Sequence, residues 1–295
     1  MATAGKVEQA KVNRWRWIPH QVRDAFKYRD LLRNLVVRDL KVRYRGSVLG
    51  FIWSLLNPLL LMLIFWFVFS KLLKNPTPHF PLFLLTALLA WTWCATTVSG
   101  CVGSIVGNGN LINKVYFPRE LLPFSTVISN GINFLLSLPT AFALIIYYLV
   151  RYPEHYGPRY FPDNLVILNP FNWNLLWIPV LILTQAIFLA GLGLFLAALN
   201  VYFRDTSMIV EVGLQAWFFL TPILYDLSAV AQEATQYVYW LNPMASIISS
   251  WRIILYNGGN IDPFFILRTI LTSLIVFVAG YLFFSRLSRS FGEEL

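Results

Sequence analysis

Charged residues are scarce in this chain. Lys, Arg, Asp and Glu make up 13% of its 295 residues, about half the share usual in a soluble domain. Hydrophobic residues fill the gap at 57%, with aromatics at 17%. Repeated long apolar runs in such a composition mean a polytopic membrane protein. Reactive side chains are scarcer still, with three histidines and two cysteines. Cys94 and Cys101 lie within one apolar run and form neither a disulfide framework nor a zinc spacing, so they read as buried structural thiols. His20, His79 and His155 are scattered through tail and loops. No Ser/His/Asp set, carboxylate pair or metal cluster emerges, which weighs against a membrane-embedded transferase. A G-x-x-x-x-G-K-[ST] phosphate loop is also missing. No charge can be placed centrally in the first four apolar runs, where it would cost about 2.5–3.5 kcal/mol. A proton- or sodium-coupled carrier usually needs such a buried relay. Uphill work by this protein would therefore draw its energy from another subunit.

The positive charge that is present is concentrated. The formal net charge is +9, and 12 of the 23 Lys and Arg residues fall within residues 1–45. They crowd beside an apolar run, where anionic lipid attracts each by roughly 1 kcal/mol. That placement argues against a nucleic-acid partner and for membrane lipids. The segment has no short apolar core with a cleavage site, so it does not read as a signal peptide. Trp15 and Trp17 suit the membrane–water boundary; a loosely ordered tail is the alternative for residues 1–20.

The stretch from Arg38 to Pro58 organises the rest. Leu32, Val36 and Leu40 repeat at i, i+4, i+8, while Arg38, Lys41 and Arg45 share another face. An amphipathic helix over about 21–45, lying in the membrane interface, follows. Asp39 and Arg43 stand at a spacing suited to pairing. Gly46 is the expected hinge into the first span. Six spans are predicted, at about 48–70, 82–106, 123–150, 174–200, 208–225 and 263–285. Pro58 should kink the first. Glu211 and Arg268 fall in the first turns of the last two. Residues 226–262 carry an apolar segment, 245–256, that is too short to cross and reads as a re-entrant or interfacial helix on the outer side; a complete extra span is the alternative. With the N-terminus inside, 17 Lys and Arg residues lie in cytoplasmic pieces against 6 outside. Both termini are then cytoplasmic.

Two groups invite functional readings. Among the span aromatics, Phe51, Trp53, Trp217, Phe218 and Phe219 are candidates for lining a conduit, since aromatic faces accept the apolar C–H faces of sugars without trapping them. Lipid-facing bulk is the competing reading. The cytoplasmic loop Asn110–Pro123 reads as a short helix between Asn-rich and Pro-flanked ends. Its Val115, Tyr116 and Phe117 are expected to be exposed, which makes sense if they dock on a partner.

These blocks resemble the permease subunit of ABC-2 type polysaccharide exporters, the family that exports O-antigen, capsule and teichoic acid. The carriers are Arg38-Asp39-Leu40-Lys41-Val42-Arg43-Tyr44-Arg45-Gly46-Ser47-Val48-Leu49-Gly50 running on to Leu56-Asn57-Pro58, then Asn113-Lys114-Val115-Tyr116-Phe117-Pro118-Arg119-Glu120, Asn200-Val201-Tyr202-Phe203-Arg204-Asp205 and Leu241-Asn242-Pro243. The resemblance implies an all-α membrane protein, with a tail and gate helix over 1–45 and a transmembrane domain over 46–295. It implies a half-transporter in the bacterial cytoplasmic membrane, paired with a second copy of itself and with two ATP-binding subunits. ATP and Mg would sit on those subunits, and this chain would bind no cofactor. The substrate would be a polyprenyl-diphosphate-linked polysaccharide, its diphosphate met by Arg38, Lys41, Arg43 and Arg45. Asn113, Lys114, Val115, Tyr116, Phe117, Arg119 and Glu120 would couple to the ATPase. An ABC-2 exporter of lipid or drug is the nearest rival.

Overall fold

The computed structural model describes residues 28–115, 117–153, 171–226 and 232–294. Every regular element among them is helical. The interfacial helix α1 spans Arg29–Tyr44 and buries Leu35 and Val36. It ends at two left-handed glycines, Gly46 (φ 75°) and Gly50 (φ 51°), so the predicted hinge is a double one. Helix α2 spans Ile52–Trp66 and continues as a π-helix over Phe67–Leu72. It runs on through Pro58, and its departure from α geometry lies at the far end. Helix α3 spans Phe80–Ser104, and the short α4 spans Gly109–Lys114. Helix α5 is the longest, Leu121–Arg151. Helix α6 spans Ile178–Tyr202 after a 3-10 turn, Trp173–Trp177, and α7 spans Thr206–Leu220. Helices α8 (Gln232–Leu241), α9 (Pro243–Leu255), α10 (Pro263–Leu287) and α11 (Phe291–Glu294) complete the order.

Among the described residues, five helical segments are long and apolar enough to cross a membrane: Ile52–Leu72, Phe80–Ser104, Leu121–Arg151, Trp173–Tyr202 and Pro263–Leu287. The predicted span 208–225 differs. Its helix, α7, has 15 residues, about 22 Å at 1.5 Å per residue against an apolar core of about 30 Å. Pro222 disfavours helical backbone at the residue before it, and Thr221 is extended. Residues Thr221–Leu224 are nevertheless buried. The chain thus travels from Val201 in one apolar cluster to Ile223 in the other on a short helix and a non-helical link.

That link is held by Arg252. Its guanidinium donates to the Pro222, Ile223 and Tyr225 carbonyls and lies 3.6 Å from the centroid of the Phe83 ring. Backbone at membrane depth is tolerated only when its polar groups are satisfied, and one buried cation does this for three carbonyls. Within 226–262, α9 is capped by Asn242, whose side chain accepts from the Ala245 N–H. At 13 residues α9 is too short to cross, in keeping with the predicted re-entrant segment.

Helices α3, α5, α6, α9 and α10 form the packed centre. Gly191 of α6 and Gly280 of α10 meet so closely that a Cβ on Gly280 would lie 2.0 Å from the Gly191 carbonyl oxygen. Inside α3 and α6, Gln185 donates to the Ala90 carbonyl and accepts from the Trp251 indole. Cys94 and Cys101 are free and buried. A second cluster sits at the other end of the molecule. It joins Leu35 of α1, Ile105, Phe117, Leu121 and Leu122, Val201, and Phe284 and Phe291. Arg119 donates to the Ser288 carbonyl, and Tyr202 hydrogen-bonds with Ser290. Both ends of the described chain therefore lie at one pole of the molecule.

Candidate functional site

The basic helix α1 packs along α5, and this contact divides its four candidate cations. Arg38 is tied to its neighbour Asp39 at 3.0 Å and donates to Asn108 Oδ1 at 2.9 Å. Asp39 pairs with Arg38 and accepts from Ser125 Oγ at 3.3 Å, not from the expected Arg43. Arg43 turns to α5 and donates to Asn130 Oδ1 at 2.5 Å, and next to it the Tyr44 hydroxyl donates to Asn133 Oδ1 at 2.5 Å. Lys41 and Arg45 stay exposed. All four cations are exposed, and the expected basic face of Arg38, Lys41 and Arg45 is divided: Arg38, like Arg43, is anchored by side-chain partners, while Lys41 and Arg45 face outward.

Where α1 meets α2, α3 and α5 there is a cavity of about 290 Å³. Arg43, Tyr44, Trp53, Asn57, Asn130 and Asn133 are among its lining residues. Sequence reading passed over the two asparagines. The signal was there: Thr126, Asn130, Asn133 and Ser137 recur at helical spacing inside the run 123–150, too many polar groups for a face meant for lipid.

The conduit aromatics separate in the same way. Phe51, Trp53 and Phe219 are exposed. Trp217 and Phe218 pack inward: Trp217 edges onto Trp91 at 5.6 Å and donates to Asn242 Oδ1 at 2.9 Å, and Phe218 stacks on Phe65 at 5.9 Å. These two rings hold α7 to the body and offer little face to a passing ligand. Around them α7 is strongly uncovered, with Thr206 its one buried residue. Ser207, Glu211 and Gln215, at i, i+4, i+8, are exposed along one line. A carboxylate and an amide on an apolar helix do not suit a hydrocarbon environment.

The loop assigned to coupling is helical over Gly109–Lys114 and extended at Val115. Lys114 and Val115 are exposed; Tyr116 lies outside the described residues, and the helical backbone of Asn113 is all that is described of it. Phe117 does not match the expectation of exposure. It is 5% exposed and belongs to the cluster with Leu35 and Phe291, because the turn Pro118–Glu120 folds it beneath α5. Burial pushes the Glu120 carboxyl up from its ordinary value, against smaller opposing effects of a backbone hydrogen bond and of Arg119. Among the described residues no group of three or more His, Cys, Asp or Glu side chains could hold a metal ion.

The family profile described as ABC-2 type transporter matches residues 30–256. The chain is 37% identical over 275 residues to the O-antigen export system permease protein RfbA of Myxococcus xanthus, covering 93% of this chain and 98% of the relative. It is 34% identical over 268 residues to the protein of the same name from Klebsiella pneumoniae, covering 90% and 95%. It is 24% identical over 216 residues to the polysialic acid transport protein KpsM of Escherichia coli, covering 72% and 76%.

Proposed function

This chain is a member of the ABC-2 type transporter family, and from that membership we infer that it is the permease subunit of a polysaccharide export system of the O-antigen kind. It is a multi-pass transport subunit and not an enzyme. Permeases of this family associate with ATP-binding subunits, and hydrolysis takes place there, with ATP and Mg on the partner and no cofactor on this chain. The proposed location is the bacterial cytoplasmic membrane with both termini inside. The shared cluster of Leu35 and Phe291 supports that arrangement, since it keeps the two ends on one side.

The observation that carries the transport reading is the uncovered flank made by α2 and α7. Asn57, Glu211 and Gln215 stand exposed on helices that are otherwise apolar. Two copies placed with these flanks facing would enclose a polar conduit, with Phe51, Trp53 and Phe219 as its aromatic surfaces and Lys114 and Val115 at the ATPase. The cargo is a polysaccharide joined to a polyprenyl diphosphate, drawn to the entrance by Lys41 and Arg45. Coupling to an ATPase accounts for energy input without a buried proton relay. Reconstitution into proteoliposomes with the ATP-binding partner tests this. ATP-dependent movement of glycan-bearing polyprenyl diphosphate is expected. Equal movement of lipids that carry no glycan would make the chain a lipid exporter instead.

A further inference from the structure

The cavity bounded by α1, α2, α3 and α5 is built in a way that the conduit does not require. Asn133 and Trp93 line it at 9% and 3% exposure. Asn133 Nδ2 and Trp93 Nε1 are buried donors with no hydrogen-bond partner among the described residues. A buried donor left unpaired costs the full desolvation of the group, so two of them beside one cavity point to what the cavity receives. Two of the three wall amides have their acceptors in use, Asn133 Oδ1 by the Tyr44 hydroxyl and Asn130 Oδ1 by Arg43, and the third, Asn57, stands exposed at the side. No carboxylate lines the cavity, and Arg43 has no ion-pair partner among the described residues. The wall therefore combines the Arg43 guanidinium and the two buried N–H groups, from three helices, with the hydroxyls of Ser47, Ser54, Thr92, Thr96 and Ser137 and the Asn57 amide. Such a set selects an acceptor that is anionic and presents oxygens in several directions, which is the geometry of a phosphate ester.

We propose that this cavity binds the phosphate of a lipid headgroup. Its volume of about 290 Å³ far exceeds the roughly 30 Å³ share of one water molecule. Trp53 and Asn57, both exposed on α2, stand at its side, so a headgroup enters laterally while its tails remain in the bilayer. Pro58 and Phe134 supply apolar wall for the glycerol or first prenyl unit. The phosphate has two sources: a membrane phospholipid, or the diphosphate of the exported lipid. The second source rests on the permease reading; the first does not.

Native mass spectrometry of the purified chain decides between them. The probes are phosphatidylglycerol, a polyprenyl diphosphate, diacylglycerol as the same tails without phosphate, and inorganic pyrophosphate as the head without tails. Retention of a phosphate-bearing lipid at least tenfold above diacylglycerol is expected. It should fall at least tenfold in Arg43→Gln and in Trp93→Phe. Trp93→Phe keeps an aromatic ring against Phe134, on which Trp93 stacks at 4.8 Å, so matched melting temperatures separate lost binding from lost fold. Preference for phosphatidylglycerol identifies a resident membrane lipid, preference for the polyprenyl diphosphate identifies the cargo, and pyrophosphate alone binding shows that the head suffices. Retention equal to diacylglycerol, or unchanged in both variants, overturns the proposal and leaves a water-filled space. Failure of wild-type glycan export with phosphatidylglycerol retention intact would sink the permease reading and leave this one standing.

Discussion

Single residues carry much of the specificity of this fold. Arg252 is the clearest case, a buried cation that meets carbonyls and an aromatic face. Hydrogen bonds to charged groups contribute about 1.5–3 kcal/mol each, so Arg252→Met should lower stability by roughly 2–4 kcal/mol, less than the sum because the link can relax. Arg252→Lys should recover little, since an ammonium lacks the planar fork. Thermal unfolding in detergent reads this, and a melting temperature equal to wild type would show that the clamp is dispensable. In the coupling loop, two neighbours should part company. Phe117→Ala empties a buried site and should cost about 3–5 kcal/mol. Val115→Asp should leave stability unchanged and weaken co-purification of the ATP-binding partner. The reverse pattern would return Phe117 to the docking surface. Hydrophobicity made both residues visible in the sequence, but it does not say which one a following proline turn folds inward. The cations of α1 were legible in the same limited way: their spacing showed a face, while their partners Asn108 and Asn130 lie 70 and 87 residues away.

At the scale of helices, apolar length was the strongest signal. The runs at 48–70, 82–106, 123–150, 174–200 and 263–285 correspond to the five long segments, with ends shifted by a few residues. The run at 208–225 is helical only as far as Leu220, because a proline and a buried arginine from another helix decide the backbone beyond it. Close approach was less visible, since a glycine in an apolar run does not reveal what it touches. Gly280→Ala tests the crossing of α6 and α10. A Cβ there would collide with the Gly191 backbone, and the helices must separate, at a cost of about 1–3 kcal/mol or more. Gly213→Ala on α7, with nothing within 4 Å, should be tolerated. Comparable yields and melting temperatures for the two variants would mean that the α6–α10 contact gives more easily than its geometry indicates.

For the whole molecule, the uncovered flank of α2 and α7 sets the expectation for assembly. In a background lacking Cys94 and Cys101, Gln215→Cys should form a covalent dimer in membranes on mild oxidation, while Leu271→Cys, on the exposed outer face of α10, should not. Crosslinking through α10 alone would place the flank of α7 elsewhere. The cluster that unites Leu35, Phe117 and Phe291 has a different kind of consequence, one of timing. A chain is threaded into the membrane from its beginning, and its first helix is available long before its last. Phe284 and Phe291 are made long after Leu35, so the cluster stays incomplete until α10 and α11 have been synthesised. Until then α1 lacks part of its apolar seat. A nascent chain arrested before Phe284 should insert its early spans yet leave α1 open to protease, and elongation past Phe291 should protect it. Phe284 and Phe291 are in this sense the latch for α1, and that pole cannot be sealed before they have been made.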